Sequence, residues 1–311
     1  MPDLFQPISG HDVAFRDHSD RGLVSATGSD RVRFTNGMIS NDVAILEPGQ
    51  SCYATLLTRK GRIVADLYVL VLEDSLLIDV APGCVESVIE ALDKHLIADD
   101  VELRDLSADW GEIAFEGPAA RELLQDRGHP TPEPSSLITD PAGRVWLGGG
   151  FFGPAGVRVL GPADRLAKLV TDVPELSAEL HEVLRVESAL PRYGVDMTER
   201  HFPIEVGLEH ALSRTKGCYI GQEIVERILA RGAVNKRLVK LETDAPVLPE
   251  ASIRLGTTVV GRVTSAVMSP LSGPLALGYV RTEQAEPGQL LDIEGIAARV
   301  VAKPVDAVVA P

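Results

Sequence analysis

The chain has 311 residues, of which 45% are hydrophobic and 24% charged, and its formal net charge is −15. This composition is that of a folded globular protein with room for one large domain or two to three smaller ones. The acidic balance argues against non-specific binding to nucleic acid over the whole surface, and no apolar run approaches the ~20 residues that span a bilayer.

Two further exclusions follow from the residue types. Three cysteines without CxxC spacing cannot build a disulfide framework and suggest a reducing compartment. His and Cys do not cluster at metal-ligand spacings, and no secretory signal is visible at the N-terminus. We therefore expect a cytoplasmic protein with no dedicated metal site, no membrane partner and no stable contact with nucleic acid.

The first half of the chain mixes strands and helices. Residues 61–80 predict a hairpin of buried strands, because apolar runs flank Glu73-Asp74-Ser75. Apolar residues at helical spacing predict a helix over 85–96. Pro118 opens a second short helix over 119–125. Strand pairs that alternate with helices favour α+β layers over a repeated βαβ pattern.

The middle of the chain begins with a proline-rich surface connection over 129–141. Two strands are predicted at 144–147 and 156–160, and a helix at 163–170. Between the strands, Gly148–Gly153 formally matches the GxGxxG dinucleotide fingerprint. A strand follows where that fingerprint requires a helix, so we predict a glycine-rich hairpin loop instead.

Within residues 177–197, helical spacing puts Leu180, Val183, Leu184 and Ala189 on one face. Arg185 and Glu187 then lie near the C-terminal end of this helix. One carboxylate can accept two adjacent N–H groups from a pterin or guanine edge. The alternative is that Glu187 pairs with a nearby arginine, such as Arg185 or Arg192, on a solvated turn.

The most distinctive stretch is Lys216-Gly217-Cys218-Tyr219-Ile220-Gly221-Gln222-Glu223. It sets a thiol between glycines, beside a cation and just before a predicted helix. The helix N-terminus and the nearby lysine both favour thiolate over thiol. Such a pattern is typical of a reactive or ligand-contacting cysteine, although free cysteine is also often a small buried hydrophobe.

Downstream of this stretch, five cations occur without an intervening acid: Arg227, Arg231, Lys236, Arg237 and Lys240. This basic strip could receive an anionic ligand, such as the glutamate tail of a folate, or it could be a solvated face. From Leu238 onward no helical period occurs, and short alternating strands predict a small β-barrel or sandwich.

Taken together, residues 184–191, 216–223 and 231–237 resemble the YgfZ family, folate-binding relatives of the glycine-cleavage T-protein that include a mitochondrial iron–sulfur assembly factor. The N-terminal stretches 34–37, 40–43, 46–50 and 58–63 resemble it too. The resemblance implies a ring of α+β modules around a central folate pocket over residues 1–232, with two modules that join near 110–145. It implies a C-terminal β-barrel over 233–311.

The resemblance also implies site residues and partners. It carries Glu187 onto a pterin-recognising carboxylate, and Cys218 onto the characteristic cysteine with Lys216 and Gln222 as motif neighbours. Further expected folate contacts are Tyr193, Arg227, Asn41 and Asp42. The implied cofactor is tetrahydrofolate or a one-carbon derivative, and the implied partners are iron–sulfur proteins or their assembly machinery.

The function implied is support of iron–sulfur cluster assembly or repair, including enzymes of tRNA modification. The alternative is a folate-dependent aminomethyltransferase or demethylase of the T-protein type. T-protein carries an aspartate that positions the one-carbon unit, expected soon after the strand that matches Leu76–Val80. No clear counterpart follows that strand here, where Glu86 is the nearest later carboxylate, and this favours the first function.

Overall fold

The computed structural model describes residues 4–232 and 234–302. The strands in chain order are β1 (Ala14–Asp17), β2 (Gly22–Thr27), β3 (Ser51–Leu57), β4 (Ile63–Val71), β5 (Leu76–Val80), β6 (Glu102–Asp105), β7 (Trp110–Glu116), β8 (Leu137–Thr139), β9 (Val145–Gly148), β10 (Val157–Pro162), β11 (Lys236–Thr243), β12 (Ser252–Leu255), β13 (Thr258–Ser269), β14 (Gly273–Arg281), β15 (Leu290–Ile293) and β16 (Ile296–Ala302). The helices are α1 (Phe5–Ser9), α2 (Arg31–Met38), α3 (Val85–Asp93), α4 (Ala120–Asp126), α5 (Ala178–Glu187), α6 (Pro203–Val206) and α7 (Gln222–Arg231). Together they form an α+β fold, as the sequence predicts.

The first sheet has the strand order β3-β4-β5-β2-β6, and all its neighbours are antiparallel. Its centre is the β4–β5 hairpin predicted at 61–80, which is confirmed. Helix α3 covers one face through Val88 and Leu92, both fully buried. Their four-residue spacing places them one above the other on that helix.

The second sheet has the order β1-β7-β10-β9-β8, so a strand from the start of the chain completes a sheet built mainly from residues 110–162. The two sheets pack face to face through leucines of both, including Leu70 and Leu77 of the first and Leu147 and Leu160 of the second. Gly149–Gly156 is the loop of the β9–β10 hairpin, which confirms the prediction of a glycine-rich turn.

The last six strands close into a barrel in the order β11-β14-β13-β12-β15-β16. Closure pairs β16 with β11 and leaves the barrel without an open sheet edge. Its interior is aliphatic, with Leu241, Ile253 and Val263 completely buried. Helix α5 packs on the outside against β13, which joins the barrel to the α+β region.

One predicted element differs. Residues 163–170 form two short 3₁₀ turns, Ala163–Arg165 and Ala167–Val170, in place of an α-helix. The buried side chains here are Leu166 and Leu169, three residues apart, and the 3₁₀ turn has three residues per turn. A three-residue spacing between two buried leucines fits a 3₁₀ turn as well as an α-helix, so the sequence did not distinguish the two.

Candidate functional site

A cavity of about 240 Å³ lies where the two sheets meet the segment that follows α5. Its walls come from five places: the end of β1 and the turn after it, the β3–β4 pair, the residues directly after β5, the glycine loop, and residues 181–210. The family resemblance implies a central folate pocket. Ligand sites for whole drug-sized molecules are typically ~300–1,000 Å³, and this cavity is slightly smaller than that range.

A carboxylate stands in one wall of the cavity. Asp66 of β4 accepts a hydrogen bond from the Tyr53 hydroxyl at 2.9 Å through Oδ2. Its Oδ1 is buried and has no hydrogen-bond partner from another described residue. Burial raises the pKa of Asp66. A carboxylate oxygen without a partner in a cavity is suited to accept an N–H from a ligand.

Behind this wall, a four-membered ion network ties the two sheets together. Arg158 of β10 pairs with Glu112 of β7 at 2.5 Å and with Asp79 of β5. Arg21 pairs with Asp79 at 2.6 Å and approaches Glu112 at 3.6 Å. The two positive charges equal the two negative charges, and all four side chains are largely buried. Each charge is therefore compensated within the network.

Aromatic rings line the cavity in a continuous strip. Successive ring centroids are 4.9, 6.4, 4.5, 5.0 and 5.0 Å apart along Tyr53, Tyr68, Phe151, His18, His181 and Phe152. The guanidinium of Arg158 lies 4.4 Å from the Tyr68 ring centroid and 4.2 Å from that of Phe151. A flat, elongated ligand would therefore meet ring faces and edges along the whole strip.

The glycine loop is held by a buried carboxylate. Glu116, at the end of β7, accepts hydrogen bonds from the backbone amides of Phe151 at 2.6 Å and Phe152 at 3.4 Å. A Cβ at Gly150 would lie 2.2 Å from Glu116 Oε2, and one at Gly156 2.9 Å from it. The glycines are needed because the backbone must close around the carboxylate. Two aromatic cavity residues are positioned in this way.

The cysteine motif lies apart from the cavity lining. Cys218 is an exposed free thiol. Lys216 is buried, and its Nζ donates to the carbonyl oxygens of Asn36, Ile39 and Asn41 at 2.6, 2.9 and 2.6 Å. Burial lowers the pKa of Lys216 to about 8. The lysine therefore anchors the motif to the end of α2, and Gln222 begins α7 as the first residue after Gly221.

The remaining predicted site residues are dispersed. Tyr193 lines the cavity. Glu187 is buried against the barrel, where its carboxylate accepts from Ser269 at 2.5 Å and pairs with Lys240 at 3.4 Å. These contacts tie it to β11 and β13, and it is not part of the cavity lining; pterin recognition by Glu187 stays a prediction.

The other three residues also have local partners. Arg227 pairs with Glu223 on the exposed face of α7 at 2.6 Å. Asn41 donates to the Tyr53 carbonyl at 2.9 Å, and Asp42 accepts from the Ala44 amide at 3.2 Å. The structure thus brings Asn41 and Lys216 together and leaves Arg227 elsewhere.

Sequence reasoning missed Asp66, His18 and His181. Among the described residues, no carboxylate after Val80 reaches the cavity lining, whereas Asp66 of the preceding strand, β4, does. A signal for it existed, since Asp66 is the one charged residue in the nine-residue strand Ile63–Val71. The histidines carried no local signal, because they come from segments far apart in the chain.

No group of three or more His, Cys, Asp or Glu side chains that could hold a metal ion occurs within residues 4–232 and 234–302. In the same part of the chain, no helix is both long and apolar enough to cross a bilayer.

Comparison with known proteins gives matches to two domain models. Residues 10–131 match the GCVT N-terminal domain, and residues 236–309 match the glycine cleavage T-protein C-terminal barrel domain. The crystal structure of the glycine cleavage system aminomethyltransferase T from Bartonella henselae matches with a TM-score of 0.87 at 24% identity, over 94% of this chain and 86% of that one. That likeness shows a shared fold.

Two curated relatives match nearly the full chain. The Arabidopsis thaliana protein named "Putative transferase, chloroplastic" is 26% identical in an alignment of 310 positions that covers 93% of this chain and 71% of the relative. The aminomethyltransferase of Nostoc sp. is 29% identical in an alignment of 322 positions that covers 94% of this chain and 85% of the relative. The chain thus matches both domains of aminomethyltransferase/T-protein-like proteins.

Proposed function

We propose that the protein binds tetrahydrofolate or a one-carbon derivative in the central cavity and acts in iron–sulfur cluster assembly or repair. The observation that carries the folate assignment is that Asp66 Oδ1 has no partner among the described residues and lies beside a strip of aromatic rings. A reduced pterin offers a planar ring system with N–H donors at its edge. Carboxylate oxygens and ring faces are the groups that recognise such a molecule.

The residues present fit this cofactor. Asp66 would accept ring N–H groups, with Tyr53 fixing its other oxygen. Tyr68, Phe151 and Tyr193 would pack along the rings. The cofactor, when bound, supplies nitrogen atoms that carry a one-carbon unit. The protein's part is to orient it, to exclude water and to hold a proton acceptor at Asp66 Oδ1.

The second half of the proposal concerns Cys218. Its exposure places the thiol where a partner protein can reach it. Two residues before it, Lys216 ties the chain to the end of α2 through three hydrogen bonds. An accessible thiol outside the cavity lining supports action on a protein partner, such as an iron–sulfur enzyme of tRNA modification, more than action on the bound folate.

Two variants test the two halves separately. Asp66→Asn should weaken binding of 5-formyltetrahydrofolate by about tenfold in calorimetry, because a charged acceptor is lost. Cys218→Ser should leave that affinity unchanged and lower the activity of radical tRNA-modifying enzymes in a complemented deletion strain. Cys84→Ser, at a buried thiol in the first-sheet core, is the matched control. Full complementation by Cys218→Ser would contradict the iron–sulfur proposal.

One observation favours a second function, a folate-dependent aminomethyltransferase or demethylase. The carboxylate that the T-protein reaction requires by resemblance is available at Asp66, inside the cavity. Transfer of a one-carbon unit from a methylated amine to tetrahydrofolate, measured by mass spectrometry and abolished by Asp66→Asn, would establish it. Absence of transfer with every tested amine would leave the first proposal alone.

A further inference from the structure

The end of the cavity farthest along the aromatic strip from Asp66 holds two imidazoles. His18 follows β1 and His181 lies in α5, and their ring centroids are 5.0 Å apart. The Nε2 atom of each is buried, and neither has a hydrogen-bond partner among the residues that the structure describes. Two buried ring nitrogens without partners at one place indicate groups that are satisfied by a ligand.

Most nearby cations are already neutralised. Arg21 and Arg158 are matched by Asp79 and Glu112. Arg185 of α5 is matched by Glu182 at 2.7 Å and Asp196 at 2.6 Å. An anionic group of a ligand would gain little from these guanidinium groups, because their donors are committed.

Arg16 is less committed. Its Nη1 donates to the Leu176 carbonyl at 3.2 Å and lies 4.0 Å from the exposed Glu175 carboxylate. With five N–H donors on a guanidinium, most remain available. Arg192 pairs with Glu182 at 3.0 Å and is half exposed. Asp17 and Asp20 also line this end, but both are exposed, so water screens them.

We propose that His18 and His181, with Arg16 beside them, bind the carboxylate end of the ligand, so that its ring system lies toward Asp66. The inference rests on the proposed folate binding and adds an orientation to it. A folate is elongated, with a donor-rich ring at one end and glutamate carboxylates at the other. The aromatic strip from Tyr53 to Phe152 has a carboxylate, Asp66, at one end and the two histidines with Arg16 at the other. These groups are complementary to the two ends of a folate. In this orientation the glutamate tail binds at the histidines and not at the basic strip predicted from the sequence. Three cations of that strip already have acidic partners: Arg227 pairs with Glu223, Arg237 with Glu209 and Lys240 with Glu187.

The arrangement also predicts proton uptake on binding. Burial, followed by neighbouring charges, lowers the pKa of His18 to about 2 and that of His181 to about 4. The two histidines face one another. The other charged groups near them are Arg16 of β1, Arg21, Arg158 of β10, Glu182 and Arg185 of α5, and Arg192. A bound carboxylate adds an opposite charge and favours the imidazolium form. Affinity for a carboxylate-bearing ligand should therefore rise as pH falls.

The test uses the full chain and two ligands in calorimetry: 5-formyltetrahydrofolate, and 6-methyltetrahydropterin, which has the ring but no carboxylate. His18→Gln and His181→Gln remove the titrating imidazoles and keep side-chain polarity. His129→Gln is the matched control, since His129 stacks on Trp146 with a centroid distance of 5.1 Å and does not line the cavity. Affinities are compared at about pH 5.5 and about pH 7.5, on either side of the ordinary histidine pKa.

We expect each cavity variant to lose about tenfold in affinity for the folate and to show a smaller gain in affinity at low pH than the wild type, because one of the two imidazoles is gone. The pterin should bind wild type and variants alike, and this also shows that the variants fold. Equal losses for both ligands, or an unchanged pH profile for the folate, would overturn the inference while leaving folate binding intact. Failure of the wild-type protein to bind either ligand would instead refute the proposed function and, with it, this inference.

Discussion

Replacing Lys216 by methionine should destabilise the protein, because it removes a buried ammonium while nearly keeping the length of the side chain. The three carbonyl oxygens that accept from its Nζ belong to Asn36, in the last turn of α2, and to Ile39 and Asn41 just beyond. Carbonyls at a helix C-terminus lack intrahelical partners. The variant would leave them without this donor.

The size of the effect follows from the number of bonds. At about 1 kcal/mol for each buried acceptor left unsatisfied, three carbonyls give about 3 kcal/mol. With an unfolding entropy of about 2.1 cal/mol/K per residue, a cooperative transition of this chain would shift by about 5 °C. Urea denaturation and calorimetry measure both quantities.

The pH dependence gives an independent check. Because burial lowers the pKa of Lys216 to about 8, the unfolded chain binds more protons than the folded one between about 8 and the ordinary lysine value of about 10.4. Stability then rises with pH across that window in the wild type. The methionine variant lacks this term, so the stability gap between the two should widen from neutral pH to about pH 10.

Lys94→Met is the matched control, since Lys94 is exposed and pairs with Glu90 at 2.8 Å on one helix. Such pairs contribute about 0.2–0.5 kcal/mol. If Lys216→Met cost no more than this control, water would be satisfying the three carbonyls, and the anchoring role would be refuted.

The remaining predictions concern the cavity walls. Asp79→Asn should cost about 3–5 kcal/mol in urea denaturation, because it leaves the buried Arg158 charge undercompensated; a loss below 1 kcal/mol would contradict the network. Burial raises the pKa of Glu116 to about 7, so the native state binds more protons than the unfolded chain above about pH 4.5, and its contribution to stability is lost as pH rises through 7. Glu116→Gln should abolish that fall, and an identical pH profile in the variant would argue against it. Gly150→Ala should cost about 1–3 kcal/mol by crowding the Glu116 carboxylate, whereas Gly217→Ala, with no atom within 4 Å of the added Cβ, should be tolerated; equal melting temperatures would dismiss the crowding.

The elements that could be predicted from the sequence are those with a local cause. The β4–β5 hairpin, helix α3 and the start of α7 near Gly221 follow from apolar periodicity and turn residues, and the structure confirms them. The same holds for the glycine loop, because a strand after it excludes the helix of a dinucleotide site. Residues 163–170 are too few for apolar periodicity to distinguish a 3₁₀ turn from an α-helix, and the segment forms two 3₁₀ turns.

The candidate site was harder to predict, since its chemistry is assembled by tertiary structure. His18, Asp66 and His181 come from three separate segments, and none stands in a motif. Lys216 shows the opposite case. Its position near Cys218 in the sequence predicted that its charge would favour the thiolate. In the structure its ammonium instead donates hydrogen bonds to three carbonyl oxygens of residues 36–41.

The β3–β4 hairpin physically links the cavity to the cysteine motif. Its strands carry Tyr53 and Asp66 into the cavity. Its turn packs against the start of α7, where a Cβ at Gly221 would lie 2.6 Å from the Thr58 carbonyl oxygen and one at Gly61 would lie 3.2 Å from Ile224. Close packing transmits small shifts. A ligand that moves Asp66 would therefore also disturb the contact between the β3–β4 turn and the start of α7. If folate binds in the cavity as proposed above, we expect its binding and the contact of a partner at the thiol to influence each other through this hairpin.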